Sequence, residues 1–420
     1  MAKLLIHGAR KLQGEVPIHG AKNSTLPLMA ASLICGGECT LHNCPALSDV
    51  ETAERILRHL GCSITNQGAG VIVIDPTPAS RYEIPDCLMR EMRSSIIFLG
   101  AIVSRIGKAV LSYPGGCELG PRPIDLHLAA LRRMGVIIDE DHGKLKCSAP
   151  NGLTGTTISL AFPSVGATEN ILIAAVLAKG ITVINNAARE PEICDLADFL
   201  NSCGAKIHGA GESTVTIEGV QHLTGCEHWV IPDRITAATY LAAAAATGST
   251  LTITGIVQQH LEPIVPAFEE SGCILKADGD RLRIVSPKRL HRIKAIRTMP
   301  YPGFPTDAQA PIMAMTTIAD GTSIFVENIF ESRYKHVGEL LRLGANIKVE
   351  GRVAIVDGVE WLSGAPVEAT DLRGGASLVV AGLAAHGVTE IGGLHHLDRG
   401  YEKLEENLSA LGADIVRIKT

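Results

Sequence analysis

The chain has 420 residues, of which 46% are hydrophobic and only 4% aromatic, so its cores must be built mainly from Ala, Leu, Ile and Val. This length allows two or three domains. The formal net charge of -6 argues against a general nucleic-acid binder, because no surplus of basic residues is available to neutralise a phosphate backbone.

The sequence is not typical of a secreted or a membrane-spanning protein. The first residues, Met1 to His7, lack the long apolar run and the cleavage site of a signal peptide. Residues 235–260 contain no Asp, Glu, Lys or Arg, but their Ala/Thr/Gly-rich composition predicts a buried helix followed by a strand rather than a membrane span. We therefore expect a cytoplasmic protein that does not enter a membrane.

The eleven cysteines are scattered from Cys35 to Cys273 without a Cys-x-x-Cys pair. This odd and irregular set is not typical of a secreted disulfide framework or a zinc ribbon. Cys39, His42 and Cys44 lie close together in the sequence, but their spacing matches no familiar zinc pattern. The sequence therefore predicts no metal site and favours a reducing compartment.

A unit of about 70 residues recurs six times along the chain. In each copy a predicted amphipathic helix ends in Gly before an apolar strand, at Gly61, Gly135, Gly204, Gly272, Gly344 and Gly412. A second helix in each copy is Ala-rich and apolar nearly all round, which indicates burial, and ends at Gly37, Gly107, Gly180, Gly248, Gly321 and Gly387. Internal repetition predicts symmetric supersecondary units, here an α/β fold of two domains with three repeats each and a ligand cleft.

Several polar and charged residues stand just before predicted helices, namely Lys22, Asn23, Arg93, Arg122, Asp307, Asp398 and Arg399. The N-terminus of a helix binds anions through its unpaired N–H groups and partial positive charge. Since cationic side chains are unfavourable there, an anionic ligand is a reasonable explanation for them. On position alone, the Asn and Asp residues also fit plain N-caps, and the arginines fit solvated surface charges.

The segment 112–123 contains three Gly and three Pro around a single cysteine, Cys117. This composition predicts an irregular surface segment rather than a helix or strand. An average cysteine is a small buried hydrophobe, whereas the thiol of Cys117 is expected to be accessible. A chance cysteine in a loop is the alternative interpretation.

Pro114-Gly115-Gly116-Cys117, followed by Gly120-x-Arg122-Pro123, resembles the catalytic loop of the UDP-N-acetylglucosamine 1-carboxyvinyltransferase family of enolpyruvyl transferases. The resemblance extends along the chain, through the segments 20–23, 92–95, 164–170, 232–234, 304–307 and 398–402. It implies a two-domain inside-out α/β barrel built from six repeats, three per domain. Residues 22–231 would form the domain with the cysteine loop, and residues 1–21 plus 232–420 the second domain, with the active site in the cleft between them.

The resemblance also implies a reaction, the transfer of the enolpyruvyl group of phosphoenolpyruvate to the 3-hydroxyl of UDP-N-acetylglucosamine with release of phosphate. In bacteria this is the first committed step of peptidoglycan synthesis. The family's addition–elimination chemistry uses small-molecule substrates and needs neither a metal nor an organic cofactor.

The family's catalytic positions match Cys117, Asp307, Lys22 and Arg399, with the cysteine as proton donor to carbon and Asp307 as base. By the same resemblance, phosphoenolpyruvate is held by Lys22, Asn23, Arg122 and Arg399. The positions matching the nucleotide-sugar site are Asn23, Arg93, Arg122, Pro123, Ile124, Asp125, Leu126, Phe162, Pro163, Ser164, Val165, Asp307 and Ile329. Asp233 and Asp371-Leu372-Arg373 are further polar positions of the family pattern, without an assigned role.

Two positions depart from the family pattern. Pro311 stands where many relatives have Gln, and Phe162-Pro163 replaces a pair that contains Lys in some relatives. The sister enzyme that makes 5-enolpyruvylshikimate 3-phosphate is an alternative, although it lacks the cysteine loop. A non-catalytic paralogue and a thiol-redox protein are others, but the catalytic positions are intact and no resolving cysteine lies in the loop.

Overall fold

The computed structural model describes residues 2–115 and 124–419. The described chain divides into two compact units. We call residues 20–115 and 124–231 the central unit, and residues 2–19 and 232–419 the terminal unit. Gly20 and Ala21 lie with the central unit, two residues before the predicted domain start at Lys22.

The elements follow one another in a regular order. Two strands of the terminal unit come first, β1 (Ala2–His7) and β2 (Gln13–Pro17). The central unit then contains α1 (Lys22–Ser32), β3 (Cys39–His42), α2 (Ser48–Leu60), β4 (Ser63–Gly68), β5 (Val71–Asp75), α3 (Asp86–Glu91), α4 (Phe98–Ile106), β6 (Lys108–Ser112), α5 (Asp125–Arg133), β7 (Ile137–Asp141), β8 (Lys144–Ser148), β9 (Thr157–Ser159), α6 (Val165–Ala175), β10 (Ile181–Asn185), α7 (Pro191–Ser202), β11 (Lys206–His208), β12 (Thr214–Glu218) and β13 (Glu227–Trp229).

The terminal unit resumes with α8 (Arg234–Ala246), β14 (Thr250–Thr254), α9 (Gln258–Leu261), α10 (Val265–Glu270), β15 (Ile274–Asp278), β16 (Arg281–Val285), β17 (Ala295–Arg297), α11 (Thr306–Thr316), β18 (Thr322–Val326), α12 (Val337–Arg342), β19 (Asn346–Glu350), β20 (Val353–Asp357), β21 (Pro366–Glu368), α13 (Leu372–Ala384), β22 (Val388–Gly392), α14 (Leu404–Ala410) and β23 (Asp414–Lys419). Short 3-10 helices lie at Arg93–Ile97 and Leu397–Arg399. The helix and strand predicted within residues 235–260 are α8 and β14, which confirms that prediction. Within the described residues, no helix is both long and apolar enough to cross a membrane.

The described strands of each unit form three separate sheets. Their orders are β13-β3-β5-β4, β6-β8-β7 and β11-β12-β10-β9 in the central unit, and β15-β16-β14-β2, β17-β18-β20-β19 and β21-β22-β1-β23 in the terminal unit. Side chains alternate between core and solvent along the strands, as in β8, where Leu145 and Cys147 are buried and Lys144 and Lys146 are exposed. Each sheet therefore packs one face on the core and turns the other to water.

Three helices lie inside each unit and are buried nearly all round: α1, α4 and α6 in the central unit, and α8, α11 and α13 in the terminal unit. In the terminal unit each of these inner helices contacts the other two. Every residue of α8 is buried, and its run of Ala side chains permits close packing between helices. With helices inside and sheets outside, the predicted inside-out α/β fold of six repeats is confirmed, although the sheets of the described chain do not join into one closed barrel.

Glycine ends most of these helices as predicted. All six glycines predicted to follow the amphipathic helices have a positive φ, between 89° and 106°. Gly107, Gly180, Gly248, Gly321 and Gly387 also have a positive φ. Gly37 does not. The inner helices α1, α6 and α11 end at Ser32, Ala175 and Thr316, five residues before Gly37, Gly180 and Gly321, so the predicted ends of these three helices are wrong.

The terminal unit is completed by the first residues of the chain. Strand β1 lies between β22 and β23 and is antiparallel to both, with Ala2 opposite Lys419. Strand β2 runs parallel to β14 at the edge of another sheet.

Candidate active site

The start of an inner helix is the common location of the predicted polar residues. Lys22 is the first residue of α1, and Arg93 is the first residue of the 3-10 helix that leads into α4. Ser164 directly precedes α6, and Asp307 lies in the first turn of α11. Such positions combine unpaired backbone N–H groups with a partial positive charge, which favours anionic ligands.

The N-cap interpretation of Asn23, Asp307 and Asp398 is wrong. The N-cap positions of α1 and α11 hold Ala21 and Pro305, whose side chains cannot accept a hydrogen bond. Asp398 lies inside a 3-10 helix, and the next helix, α14, begins only at Leu404. The polar side chains at these places are therefore available for other contacts.

Two aspartates without a predicted role are the true caps. The carboxylate of Asp233 accepts hydrogen bonds from the N–H groups of Ile235 and Thr236, at 2.8 and 3.0 Å. Asp371 caps α13 in the same way, through the N–H groups of Arg373 and Gly374. These two family positions thus hold the inner helices in place.

Asp307 is held by two buried arginines. Arg333 donates from Nη2 to Oδ1 at 3.0 Å, and Arg373 donates from Nη2 and Nε to Oδ2 at 3.1 and 3.3 Å. Both arginine side chains are 2% exposed, whereas that of Asp307 is 28% exposed. The carboxylate is therefore fixed from behind by charge-assisted hydrogen bonds and keeps an accessible face.

The clamp around Asp307 is itself fixed in position. Arg333 also donates to the carbonyl oxygen of Thr306 at 3.0 Å, which ties it to the start of α11. Burial disfavours the charged form of Arg373, but the attraction of Tyr401, Asp307 and Asp233 outweighs it and holds the pKa of Arg373 above its ordinary value. The guanidinium lies 5.4 Å from the centre of the Tyr401 ring, a cation–π contact.

Ile329, a predicted nucleotide-sugar residue, is connected to the same helix start. Glu327 accepts a hydrogen bond from the Thr306 hydroxyl at 3.0 Å with one carboxylate oxygen. Its other oxygen accepts from the N–H groups of Ile329 and Phe330 at 2.8 and 3.0 Å. Glu327 thus links the Ile329 loop to the residue that precedes Asp307.

Arg399 is half-buried at the end of the 3-10 helix Leu397–Arg399. This helix packs on the first turns of α13, where Leu397 approaches Gly375 and Gly400 approaches Leu372. The neighbouring Asp398 pairs with Arg417 through two hydrogen bonds of 3.0 and 2.7 Å.

In the central unit, Lys22 forms a buried ion pair. Its Nζ lies 3.2 Å from Oδ2 of Asp49, and the two residues are only 9% and 3% exposed. A buried ammonium group needs such a partner to keep its charge. Asn23, the next residue of α1, is half-buried.

Arg93 connects the start of α4 to the stem of the cysteine segment. Its Nη1 donates to the carbonyl oxygen of Pro114 at 3.3 Å. Gly115 follows closely against the backbone of Arg90, where a Cβ atom would lie 2.3 Å from the carbonyl oxygen. Only glycine fits this approach, so the chain enters the segment at a defined place.

Three helix starts of the central unit meet around Asn170 and His127. The Asn170 side chain donates to the carbonyl oxygen of Ile96 at 3.0 Å and lies 3.0 Å from Nδ1 of His127, in α5. Burial, with a smaller contribution from the nearby Arg93 charge, lowers the pKa of His127 to about 4, so its ring is neutral at physiological pH. Ser164 caps α6 at the N–H of Ala167, 3.3 Å away.

The predicted nucleotide-sugar residues of this unit differ in exposure. Phe162 is exposed and Pro163, Ser164 and Val165 are half-buried, on the segment that begins α6. At the start of α5, Ile124 is buried, Leu126 is half-buried and Asp125 is exposed. The predictions for Cys117, Arg122 and Pro123 lie outside the described residues.

Arg333 and Glu327 were not predicted from the sequence, and His127 and Glu169 were left without a role. The repeat could have identified Asp233 and Asp371, because Asp233, Asp307 and Asp371 stand at the starts of three successive inner helices, but it does not mark Arg333 or Glu327. Glu169, in α6, is 3% exposed. Burial, then the charges of Glu192 and Glu190, raises the pKa of Glu169 to about 8.

The comparisons with known proteins agree with this architecture. Residues 6–408 match the family described as EPSP synthase (3-phosphoshikimate 1-carboxyvinyltransferase). The chain is 52% identical to UDP-N-acetylglucosamine 1-carboxyvinyltransferase 2 of Caldanaerobacter subterraneus subsp. tengcongensis, with 100% of both chains covered. It is 50% identical to the UDP-N-acetylglucosamine 1-carboxyvinyltransferase of Gloeobacter violaceus, covering 99% of this chain and 90% of that protein.

Solved structures with lower sequence identity to this chain have the same fold. The enolpyruvyl transferase NikO of Streptomyces tendae superposes with a TM-score of 0.91 at 28% identity, over 100% of this chain and 99% of that one. EPSP synthase of Acinetobacter baumannii superposes with a TM-score of 0.78 at 18% identity over 100% of both chains, which shows the shared fold. The chain therefore belongs to the EPSP synthase family of enolpyruvyl transferases, and within it to the UDP-N-acetylglucosamine 1-carboxyvinyltransferases.

Proposed function

We propose that this protein is a transferase that moves the enolpyruvyl group of phosphoenolpyruvate to the 3-hydroxyl of UDP-N-acetylglucosamine and releases phosphate. The main support is the whole-length similarity, at 50–52% identity, to two proteins named for this activity. The arginine-held carboxylate of Asp307 supports it independently, because the reaction needs a fixed acceptor for the proton of the sugar hydroxyl.

The proposed reaction proceeds by addition and elimination. Cys117 donates a proton to C3 of phosphoenolpyruvate, C2 becomes cationic, and the sugar oxygen attacks C2 while its proton passes to Asp307. In the tetrahedral intermediate a C3–H bond and the C2–O bond to phosphate then break. The C3 proton returns to the Cys117 thiolate, the electron pair of the C3–H bond restores the C2–C3 double bond, and phosphate leaves with the electrons of the C2–O bond. The reaction involves no net oxidation or reduction, so no redox cofactor is required.

The environment of Asp307 fixes the proposed acceptor of the sugar proton in place. Two guanidinium groups donate hydrogen bonds to its two carboxylate oxygens from the buried side. The side chain of Asp307 is 28% exposed, so the carboxylate keeps an accessible face. We propose that the sugar hydroxyl gives its proton to this face as its oxygen bonds to C2.

Cationic groups are proposed to hold phosphoenolpyruvate. Lys22, with Asn23 beside it at the start of α1, offers an ammonium group next to backbone N–H groups. Arg122 and Arg399 are assigned to the same ligand by family position. Their charges would stabilise the negative charge that develops on phosphate as it leaves.

The nucleotide sugar is proposed to bind at the helix starts of the central unit. Asp307 and Ile329 are assigned to the same ligand by family position alone. Arg93 offers a cation for the diphosphate, and the uncharged His127 beside it does not compete for that anion. The exposed ring of Phe162 provides an apolar surface for stacking of the uracil. The remaining assigned positions are Arg122, Pro123, Ile124, Asp125, Leu126, Pro163, Ser164 and Val165.

The proposed domains are residues 22–231 and residues 1–21 plus 232–420, and the proposed location is the cytoplasm. Ten described cysteines are free thiols, which a reducing compartment preserves. The product class, an enolpyruvyl ether of a UDP-sugar, fits a role in peptidoglycan synthesis.

Phosphate release with each acceptor tests the substrate assignment. Purified protein is incubated with phosphoenolpyruvate and either UDP-N-acetylglucosamine or shikimate 3-phosphate. Release only with the UDP-sugar is expected; release only with shikimate 3-phosphate would reassign the acceptor to that of the sister enzyme. Binding of both ligands without turnover would instead indicate a non-catalytic paralogue.

Variants of Cys117 test the proton donor in the same assay. Cys117→Ser is expected to abolish turnover in a folded protein, because a hydroxyl is a much poorer acid than a thiol. Cys117→Asp is expected to retain part of the activity, since a carboxyl group can donate the proton. Near-normal turnover of the Ser variant, or an inactive Asp variant, would contradict the acid role.

A further inference from the structure

Four cysteines of the central unit converge at one point of its core. Cys35 follows the end of α1, Cys39 begins β3, Cys203 follows α7, and Cys226 directly precedes β13. We call these four residues the thiol cluster. They come from the first and the last repeat of the unit, so they are distant in sequence and adjacent only in the fold.

The sulfur atoms lie close together. Sγ of Cys203 is 3.6 Å from that of Cys35 and 3.2 Å from that of Cys226. The sulfurs of Cys35, Cys39 and Cys203 all lie within 4.8 Å of one another. Among the described residues, these three form the one group of metal-ligating side chains that is this compact.

Close contacts of glycine backbones bring the segments together. A Cβ atom on Gly36 would lie 2.6 Å from the carbonyl oxygen of Leu223, and one on Gly225 would lie 1.9 Å from that of Glu38. The N–H of Thr40 then donates to the carbonyl oxygen of Cys226 at 2.9 Å. The backbone is thus built so that the Cys35–Cys39 loop and Cys226 approach the end of α7.

The spacing of three of these thiols fits a structural zinc site. A tetrahedral ion with Zn–S bonds of about 2.3 Å separates its sulfur ligands by about 3.8 Å. The sulfurs of Cys35 and Cys203 are 3.6 Å apart and that of Cys39 lies within 4.8 Å of both, whereas Cys226 lies 3.2 Å from Cys203 but outside this compact group. Cys35 and Cys39 are separated by three residues, within the usual range of two to four for a paired zinc ligand. Thiolate ligands without nitrogen or oxygen favour a soft ion such as Zn²⁺.

We propose that Cys35, Cys39 and Cys203 bind one zinc ion between the first and the last repeat of the central unit, with Cys226, beside Cys203, as the candidate fourth ligand. This site differs from the sequence expectation of no metal, and it is independent of the proposed transferase site. Three ligands are fully buried and Cys226 is half-buried, so the ion has an entry path on the Cys226 side.

A cation stands beside the cluster. Arg105 donates from Nη1 to the carbonyl oxygens of Leu33 and Cys35, at 2.8 and 3.0 Å. A zinc ion with three or four thiolates is negatively charged, and this guanidinium offsets that charge while it fixes the backbone of one ligand.

Cobalt substitution tests the proposal. The full-length protein is stripped of metal with a chelator under a non-thiol reductant and titrated with Co²⁺, which reports tetrahedral thiolate coordination by its visible and charge-transfer absorption. One Co²⁺ per chain is expected, displaced by Zn²⁺, together with a higher midpoint of thermal unfolding in the presence of zinc. Absence of these bands would overturn the proposal.

Matched variants identify the ligands. Cys203→Ser is expected to weaken Co²⁺ binding by about tenfold or more, and Cys226→Ser, a change at a less buried position, to weaken it in a protein that still folds. Cys147→Ser, at a buried cysteine of β8, and Cys117→Ser are expected to leave binding unchanged. Bands that persist in both cluster variants, or a Cys203–Cys226 disulfide in the isolated protein that prevents metal uptake, would refute the site.

Discussion

The two units differ in the caps at the starts of their inner helices. In the terminal unit, Asp233 and Asp371 cap two helices, and Asp307 on the third is neutralised by buried arginines. In the central unit the first two inner helices begin with cations, Lys22 and Arg93, and Ser164 caps the third through one hydrogen bond of 3.3 Å. The same repeat therefore supports two different kinds of helix start.

This difference separates two tasks. A helix start capped by a carboxylate has already satisfied its N–H groups and its positive end, so it contributes stability. A helix start that carries a cation is less favourable on its own and gains from an anion. The comparison predicts that substitutions in the terminal unit affect both stability and the reacting carboxylate, whereas the central unit responds mainly to anionic ligands.

The largest expected effect is at Asp307. Asp307→Asn keeps an acceptor oxygen but removes the charge that receives the sugar proton, so we expect kcat to fall by about 10²–10⁴-fold. Asp414→Asn is a matched control, since it removes a terminal-unit carboxylate that pairs with Arg10 at 2.7 Å on the surface. Steady-state phosphate release measures both; a similar loss in the control, or turnover near normal in Asp307→Asn, would contradict the base role.

Arg373→Met breaks the clamp from the other side. It leaves Asp307 with one arginine and removes a buried charge partner. The free energy of unfolding is therefore expected to fall by about 3 kcal/mol, the lower limit for breaking a buried ion pair, because Asp307 is partly exposed. The surface pair offers the comparison, since Arg10→Met is expected to cost less than about 1 kcal/mol. Denaturant unfolding measures both, and equal losses would show that the buried clamp contributes no special stability.

The central unit has a buried acid whose effect on stability depends on pH. The folded pKa of Glu169, about 8, lies above its ordinary value of 4.5, so the folded state keeps a proton that the unfolded state releases. The contribution of the protonated Glu169 side chain to the stability of the folded state is fully present below pH 4.5 and is lost as the pH rises towards 8. Glu169→Gln is therefore expected to flatten the decline of the unfolding midpoint over this range.

The control for that experiment is Glu218→Gln, which changes an exposed carboxylate paired with Lys206 in the same unit. It is expected to leave the pH dependence unchanged. An unaltered slope in Glu169→Gln would mean that this carboxyl group titrates normally in the folded protein.

The smallest effect is expected at the caps. Asp371→Ala removes two hydrogen bonds of 3.1 and 3.0 Å and is expected to cost about 1–2 kcal/mol of unfolding free energy. Ser164→Ala removes a single bond of 3.3 Å and is expected to cost about 0.5 kcal/mol. A larger loss at Ser164 in thermal or denaturant unfolding would reverse the comparison between the units.

Local signals were sufficient to predict the repeats. The glycines after the outer helices were recognisable because a left-handed helix end favours Gly, and the apolar inner helices because burial removes their polar face. The first residues of the helices were predicted less accurately. Lys22 and Asn23 were predicted to stand just before the first inner helix, whereas α1 begins at Lys22, because a helix can start without a polar cap when the surrounding core holds it.

The contacts that form the site were not predictable from local pattern. Arg373, in α13, lies 66 residues from Asp307, and Arg333, in the turn before α12, lies 26 residues away, so only tertiary packing brings them together. The thiol cluster is a similar case, since Cys35 and Cys203 are separated by 168 residues. Alignment of the repeats by their helix starts would have grouped the three aspartates but not the arginines or the thiols.

The pairing of β1 with β23 has a consequence for synthesis of the chain. The central unit is complete once residue 231 has left the ribosome, and it can fold while translation continues. The terminal unit must wait, because Ala2 pairs with Lys419 at the far end of the chain. During synthesis, β1 and β2 therefore remain without their partner strands, and a truncated chain that ends before β23 would leave this sheet with an open edge available for aggregation.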